Sequence, residues 1–262
     1  GIVLSTKVGR LLRPYAGAET ERAGWVHPLP FEPHYDYSYD GIMRSVADSQ
    51  QRLGLTRIHI LYVHDIGAMN HGVEGNRHYW GQLSDGGYRA LRELRDSGAV
   101  KAIGLGVNET DVLMDALELG DWDVFLVAGR YTLLDQSALS PLLAQCVRRG
   151  TSIVIGGVFN SGALVGNGRW NYAAAPQPVL ERVGKLGAFC RERNVPLAAA
   201  ALQMPLAHPA VCSVLAGSKS PDELDQVLGW ARVPIAEEFW ADLARSGLLA
   251  AGTPLPFGMV AE

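Results

Sequence analysis

Two side chains suited to acid–base chemistry close apolar, β-branched runs of the sequence. Lys7 ends the run 2–7, and His64 ends the run 58–64. If both runs are parallel strands, their carboxyl ends lie at one edge of a sheet, and the two side chains become neighbours. Burial disfavours a lysine charge unless a carboxylate or phenol shares the site. A neutral histidine can donate a hydrogen bond to a substrate oxygen. Each residue taken alone is also compatible with a purely structural role.

A second candidate site precedes a predicted helix over 221–231. Ser218 and Lys219 open this helix, where backbone N–H groups and the helix dipole favour a phosphate group. No metal site is predicted, because the three cysteines are widely spaced and form no CxxC or Cys/His pattern. We expect all three cysteines to be buried, inert thiols of a cytoplasmic protein.

The elements that must position these residues alternate along the chain. Short apolar segments bounded by Gly, Asn and Asp predict strands over 2–7, 58–64, 102–107, 124–128, 152–156 and 212–215. Amphipathic segments predict helices over 39–53, 88–97, 111–119, 139–149, 179–193, 197–207, 221–231 and 237–245. Ser38 is the expected N-cap of the helix 39–53.

This alternation predicts an α/β fold with a parallel sheet covered by helices. No glycine-rich phosphate fingerprint follows the first strand, which favours a (β/α)₈ TIM barrel over a doubly wound sheet. Only six strands are found where a barrel needs eight. We therefore expect one barrel domain over 1–262 whose first two βα units are missing from the sequence; a six-stranded variant is the alternative. Two long connections, 8–38 and 65–87, follow strands and should lie at the edge where barrels place their chemistry.

Composition excludes several function classes. The 262 residues carry a net charge of −4, which predicts no binding to nucleic acid or to an anionic membrane. No run of 18 apolar residues predicts a transmembrane helix, and the first residues do not resemble a signal peptide. We expect a soluble, cytoplasmic protein that acts on a small molecule, with its oligomeric state left open.

Several segments, in order along the chain, resemble the aldo-keto reductases. The segments 3–7 and 61–64 resemble the third and fourth strands of that family, 104–108 resembles the fifth, and 216–221 resembles the cofactor loop after the eighth. Within the family, the segments 37–41, 62–67, 129–134 and 159–162 are similar to the branch of L-fucose (D-threo-aldose), L-galactose and pyridoxal 4-dehydrogenases.

The resemblance implies a catalytic tetrad of Asp, Tyr, Lys and His, of which Lys7 and His64 match two members. Lys7 would lower the pKa of the tyrosine, and His64 would orient the substrate oxygen. The tyrosine and aspartate belong to the family's second strand, and no residue here matches them. A protein beginning at Gly1 is therefore expected to be catalytically impaired.

The resemblance also implies NAD or NADP as cofactor. Asn108 matches a residue that hydrogen-bonds the nicotinamide carboxamide, and Gly217, Ser218 and Lys219 match the phosphate loop. Lys219 could also add positive charge for a 2′-phosphate.

Two departures from the family pattern concern the cofactor site. Gly156 stands where the family has a stacking aromatic residue, so we expect Phe159 to serve instead. Glu223 stands where the family often has a basic residue, and an acidic side chain near the adenosine ribose repels a 2′-phosphate. This substitution favours NAD over NADP.

The function that the resemblance implies is the NAD(P)-dependent oxidation of a sugar-like hemiacetal, an aldose or pyridoxal, to a lactone. Two alternatives stay open: a carbonyl reductase of the same fold, and a non-catalytic barrel that binds a nucleotide.

Overall fold

A computed structural model describes residues 1–22 and 25–262. Contacts divide the chain into two compact units. The first comprises Gly1–Val107 and Asp115–Asp123, and the second comprises Asn108–Met114 and Val124–Glu262. The single barrel domain over 1–262, and the placement of two further βα units, stay predictions.

In the residues that the structure describes, the first unit contains seven strands, three complete α-helices and part of a fourth. The strands are β1 (Ser5–Val8), β2 (Arg10–Pro14), β3 (Glu21–Arg22), β4 (Trp25–Val26), β5 (Phe31–Tyr35), β6 (Ile60–His64) and β7 (Ala102–Val107). The helices are α1 (Tyr39–Leu53), α2 (Ala68–Gln82) and α3 (Tyr88–Asp96). Strands β1, β6 and β7 pair in parallel, which places Lys7 opposite Tyr62 and Tyr62 opposite Gly104. Because side chains alternate along a strand, Lys7 and His64 lie on the same face of these strands.

Helix α1 follows the sequence prediction closely. The Ser38 side chain accepts a hydrogen bond from the Gly41 amide, and Gly54 ends the helix in a left-handed conformation. The buried face includes Ile42 and also Ser45. The Ser45 hydroxyl accepts a hydrogen bond from the Gly9 amide at 3.0 Å, so the helix fixes the turn that follows β1.

Two predictions in the first unit need correction. The first strand begins at Ser5 rather than at residue 2, because the Leu4 amide donates to the His59 ring at 3.0 Å instead of joining the ladder. The connection 65–87 contains α2, although it was expected to be a loop. Gly72 interrupts this helix with φ of 65°, and none of its residues is buried.

The long connection 8–38 also contains regular structure. Strands β2 and β5 pair antiparallel from Arg10 opposite Tyr35 to Pro14 opposite Phe31. Within this hairpin, β3 and β4 form a second, shorter antiparallel pair. The described part of the connection therefore contains one antiparallel pair of strands inside another.

The second unit continues the alternation, and α4 (Asp111–Leu119) has residues in both units. The strands of the second unit are β8 (Val124–Ala128), β9 (Ser152–Gly156), β10 (Arg169–Trp170), β11 (Ala173–Ala174), β12 (Val211–Leu215), β13 (Pro254–Leu255) and β14 (Met259–Val260). Its other helices are α5 (Ala144–Arg149), α6 (Gln177–Glu192), α7 (Leu197–Gln203), α8 (Pro221–Ala231) and α9 (Glu237–Arg245). Strands β8, β9 and β12 pair in parallel. The six predicted strands are thus present, and the α/β class is confirmed.

Prolines shorten two predicted helices in the second unit. The helix expected over 139–149 becomes regular only at Ala144, because Ser140 is extended immediately before Pro141. The helix expected over 197–207 ends at Gln203, and a tighter turn containing Pro205 follows.

The cysteine prediction is correct for two of the three residues. Cys146 and Cys190 are buried, and burial raises the pKa of their thiols to about 12 and about 11, respectively. Cys212, however, is exposed on β12, so its expected burial is wrong. Among residues 1–22 and 25–262, we find no helix that could span a lipid bilayer.

Candidate functional site

Lys7 is the third of the four residues of β1, so the strand ends one residue later than predicted, at Val8. Gly106 of β7 leaves room for the Lys7 side chain. A Cβ added at Gly106 would lie 3.3 Å from the Lys7 Cε and 3.7 Å from its Nζ. Burial lowers the pKa of Lys7, the carboxylate of Asp65 opposes this shift, and the charge of Arg10 adds to it. Lys7 is therefore an amine whose charged form is less favoured than that of a surface lysine.

His64 is the last residue of β6 and contacts the residue that follows it. Its Nε2 lies 3.1 Å from the Oδ2 of Asp65. Burial lowers the pKa of His64, and the charge of Lys7 adds to this effect, whereas the Asp65 carboxylate raises it. The net shift is downward, which favours a neutral imidazole.

Asp65 contacts two charged or titratable side chains, His64 and Arg10. Its Oδ2 also lies 3.5 Å from the Nη1 of Arg10. Burial acts to raise the pKa of Asp65, but His64, Lys7 and Arg10 together lower it below its usual value. Asp65 is thus a carboxylate in a half-buried cluster of positive and titratable side chains.

Lys7 and His64 line the same cavity, whose volume is about 720 Å³. This value lies within the range of small-molecule sites, about 300–1,000 Å³. Most of the other lining side chains are apolar or aromatic, and among them are Leu12, Trp25, Leu29 and Phe31. The structure therefore brings the two predicted catalytic residues together in a space that can hold a small molecule.

A buried tyrosine fixes the backbone of His64. The Tyr37 hydroxyl donates to the His64 carbonyl at 2.6 Å and lies 3.0 Å from the Nε2 of His71. Tyr37 is fully buried, and burial raises its pKa well above the ordinary value. Its ring also contacts Tyr79 of α2 edge to face, at 5.4 Å between centroids. Helix α2, which the sequence did not predict, thus supports the site through this cluster.

The second unit has its own cavity of about 710 Å³ beside the carboxyl ends of the neighbouring strands β9 and β12. Of the predicted cofactor residues, Phe159, Gly217, Lys219 and Glu223 line it. Asn108 and Ser218 lie outside this lining.

Glu223 contacts the predicted phosphate loop directly. Its Oε2 accepts a hydrogen bond from the Lys219 amide at 2.8 Å, and its Oε1 lies 3.5 Å from the Lys219 Nζ. The Ser220 side chain caps α8 by accepting from the Glu223 amide. One carboxylate therefore occupies a backbone donor of the loop and forms an exposed ion pair with its lysine.

Asn108 is held by other parts of the second unit. Its Nδ2 donates to the Ala128 carbonyl at 3.1 Å and lies 3.4 Å from the Tyr172 hydroxyl. Its carbonyl accepts from the Nε of Arg130 at 3.0 Å, and Arg130 also donates to Asn171. Arg130 thus connects the residue after β7 to the β10–β11 turn.

The sequence analysis missed two residues that line these cavities, Trp230 and Arg10, and one residue that contacts His64, Asp65. Trp230 lines the second cavity and packs edge to face against Phe159, at 5.8 Å between ring centroids. Its spacing of seven from Glu223 places both on one face of α8, a signal that the sequence did contain. Asp65 and Arg10 were also missed, and the position of Asp65 directly after His64 was the available signal. In the part of the chain that the structure describes, no three potential metal-binding side chains come together.

Comparison with known proteins identifies the class of protein. Residues 1–247 match the model of the Aldo/keto reductase family. The chain belongs to this family of oxidoreductases.

Two characterised relatives are similar over most of the chain. Pyridoxal 4-dehydrogenase of Microbacterium luteolum is 46% identical over 261 residues, covering 95% of this chain and 76% of the relative. D-threo-aldose 1-dehydrogenase of a Pseudomonas species is 39% identical over 257 residues, covering 94% of this chain and 75% of the relative. Both belong to the branch that the sequence resembles, which confirms that resemblance.

Solved structures show the same fold at lower identity. An aldo-keto reductase from Bacillus halodurans, in its holo form, superposes with a TM-score of 0.64 at 23% identity, covering 95% of this chain and 73% of that chain. Glycerol dehydrogenase from Gluconobacter oxydans gives a TM-score of 0.66 at 16% identity, with coverage of 95% and 72%. The parallel strands and helices of both units fit the α/β barrel architecture expected from the sequence.

Proposed function

We propose that this protein is a nicotinamide-dependent dehydrogenase that oxidises the hemiacetal carbon of an aldose or of pyridoxal and forms a lactone. The observation that carries the proposal is the shared cavity of Lys7 and His64 at the carboxyl ends of two paired strands. The sequence identity of this chain to a pyridoxal dehydrogenase, 46%, and to an aldose dehydrogenase, 39%, supports the same reaction.

The roles of the two residues follow from their surroundings. Lys7 is a half-buried amine, and in the reaction that the family resemblance implies it would lower the pKa of the tyrosine that takes the hydroxyl proton. His64, which is neutral near pH 7, hydrogen-bonds the oxygen of this hydroxyl and orients the carbon that is oxidised. The nicotinamide ring, when bound, supplies the hydride acceptor.

The residues of the second unit fit such a cofactor. The cavity beside β9 and β12 is open at Gly217, where an added Cβ would meet no atom within 4 Å. The first turn of α8 borders it through Glu223, and the Asp222 amide is the backbone N–H of this turn for which the structure shows no partner. Phe159 and Trp230 offer aromatic faces, and Asn108 would hold the carboxamide.

The acidic side chain in this cavity supports NAD over NADP. Glu223 would place negative charge near an adenosine ribose, and it already pairs with the lysine that could attract a 2′-phosphate. A carboxylate can also accept a hydrogen bond from a 2′-hydroxyl group.

A substrate panel tests the proposal. The protein, expressed from its complete natural coding region, is incubated with L-fucose, L-galactose or pyridoxal and with NAD or NADP, and reduced cofactor is measured by absorbance. We expect reduction with at least one substrate. We also expect Lys7→Met and His64→Gln to lower the rate by about a hundredfold or more. Lys185→Met, on the exposed surface of α6, is the matched control and should keep the rate.

The other outcomes are informative. If the cofactor binds but no substrate is oxidised, the dehydrogenase proposal is wrong and a nucleotide-binding role replaces it. If only the reduced cofactor reacts, and with a carbonyl compound, the protein is a reductase of the same fold.

A further inference from the structure

Two aromatic rings meet at the wall of the cavity in the second unit. Trp230, in the last turn of α8, lines this cavity together with Phe159. The two rings pack edge to face, with 5.8 Å between their centroids and an angle of 75° between their planes. In this arrangement Phe159 covers at most one face of the indole ring, so another face remains for an occupant of the cavity. We call Phe159 and Trp230 the aromatic wall.

The backbone at both residues of the aromatic wall is restrained by side-chain hydrogen bonds. Gln203 of α7 donates from its Nε2 to the Trp230 carbonyl at 3.4 Å. Next to Phe159, the buried side chain of Asn160 accepts from the Thr132 hydroxyl at 2.6 Å. Because these contacts restrain the backbone before a ligand arrives, less conformational freedom is lost when a flat group binds against the rings.

Charge is confined to one end of the face that α8 presents to the cavity. In the part of the chain that the structure describes, Lys219 and Glu223 are the only charged residues of the lining. They lie just before α8 and in its first turn, whereas Trp230 lies about 10 Å further along the helix axis. Val227 lies between Glu223 and Trp230 on the same face, and its side chain is apolar. The cavity therefore favours a ligand with a polar or charged part near the start of α8 and an uncharged, flat part at the aromatic wall.

A nicotinamide dinucleotide has two flat rings that the aromatic wall can hold. Asn108, which would hold the carboxamide of the nicotinamide ring, lies outside the lining of this cavity. The ring that remains for the aromatic wall is adenine. Adenine is neutral near pH 7, which suits an uncharged wall, and nucleic-acid bases stack favourably on aromatic side chains.

We propose that Trp230 is a cofactor-binding residue whose indole face stacks on the adenine ring, while Phe159 supports the indole from the side. The adenosine half of the cofactor then binds in this cavity whether or not the nicotinamide half is present. The inference rests on the proposed function for the choice of a nicotinamide dinucleotide as ligand, but the contact of the base with Trp230 is tested by binding alone.

Titration calorimetry with ADP-ribose, which lacks the nicotinamide ring, tests the proposal without turnover, on protein expressed from its complete natural coding region. We expect Trp230→Ala to weaken ADP-ribose binding by about tenfold or more, the loss of one stacking contact between a base and an aromatic side chain. Trp230→Phe keeps an aromatic face and should stay within about threefold of the unmodified protein. Leu228→Ala is the matched control and should leave the affinity unchanged, since Leu228 is exposed on α8 and does not line the cavity.

Titration with NAD distinguishes the two rings of the cofactor. We expect Trp230→Ala to weaken NAD and ADP-ribose binding by the same factor, because the nicotinamide ring makes no contact with the aromatic wall. If the variant weakens the binding of NAD but not that of ADP-ribose, the wall holds the nicotinamide ring and the proposal is wrong. It is also wrong if the unmodified protein binds NAD but not ADP-ribose.

A contact measured in a protein that keeps Trp230 covers the case in which Trp230→Ala does not fold. Nuclear magnetic resonance of the protein with bound ADP-ribose should show nuclear Overhauser effects between the H2 or H8 proton of adenine and an indole ring. The chain has six tryptophans, and the indole signals that disappear in Trp230→Phe identify this one. Absence of this contact while ADP-ribose is bound overturns the proposal.

The role of Trp230 and the proposed function fail separately. If ADP-ribose contacts Trp230 but no substrate is oxidised, the dehydrogenase function is wrong and the adenine site remains. If a substrate is oxidised with NAD while Trp230→Ala leaves the affinities for NAD and ADP-ribose unchanged, the function stands and the role given to Trp230 is wrong.

Discussion

Replacement of Tyr37 by phenylalanine tests whether the buried hydroxyl supports the backbone of His64. Tyr37 is fully buried, and its hydroxyl donates to the His64 carbonyl at 2.6 Å. Because a tyrosine hydroxyl has one hydrogen, the contact of 3.0 Å with His71 places the hydrogen on the Nε2 of His71. Tyr37→Phe therefore leaves one acceptor and one donor without this partner.

The expected cost follows from these two groups. A buried polar group that loses its partner costs about 1–3 kcal/mol of the free energy of unfolding. His71 is only partly buried, so solvent can replace its lost contact, and most of the cost comes from the His64 carbonyl. We expect Tyr37→Phe to lower the free energy of unfolding by about 1–3 kcal/mol, which corresponds to a melting temperature about 2–10 °C lower for a chain of this size.

Urea unfolding followed by circular dichroism measures this difference. Tyr39→Phe is the matched control, because it removes a hydroxyl that bonds Glu93 in solvent and should leave stability unchanged. Equal stability of Tyr37→Phe and the unmodified protein, with the same dependence on urea, would refute the reasoning. It would show that neither hydrogen bond contributes to folding.

Three further predictions concern the second unit. Glu223→Gln removes the ion pair with Lys219 and should raise the affinity for NADP relative to NAD by about threefold or more, as titration calorimetry can measure. Asp222→Asn removes the same charge outside the cavity lining, so it should leave this ratio unchanged. Burial lowers the pKa of His208, so its contribution to stability is complete above the unfolded value near 6.5 and is lost as the pH falls through that value toward the folded pKa. Urea unfolding between pH 7 and 5 should therefore show a shallower loss in His208→Asn, and an unchanged slope would contradict this assignment. In the native protein, a thiol reagent should modify Cys212 first, and it should modify Cys146 and Cys190 only after unfolding. Peptide mapping measures these rates, and equal rates for all three cysteines would contradict the burial of Cys146 and Cys190.

Local signals in the sequence predicted much of the helical structure. Helix α1 begins and ends where Ser38 and Gly54 can cap it, and α8 begins where Ser220 precedes a proline. Such signals depend only on neighbouring residues, so no tertiary structure is needed to read them. Helix α2 lacks them: it contains three glycines, and none of its residues is buried. This helix contacts residues that are distant in sequence, such as Tyr37. The periodicity of its own residues did not predict it.

The candidate site was predictable where it depends on strand ends and unpredictable where it depends on backbone conformation. Lys7 lies one residue before the end of β1 and His64 ends β6, so the parallel pairing of these strands was enough to place the two residues together. The contact of Asp65 with His64 requires a left-handed residue directly after β6, which the sequence does not specify. The ion pair with Arg10 depends on the hairpin of β2 and β5, which sequence reasoning treated as an irregular connection.

The position of Trp230 has a practical consequence for spectroscopy. Its indole ring borders the proposed cofactor cavity and touches Phe159, so an occupant would change the polarity around the ring. Indole emission depends on that polarity, and the difference spectrum between the protein and its Trp230→Phe form isolates this one emitter from the other five. The protein thus carries an intrinsic optical probe of occupancy that needs no label and no turnover.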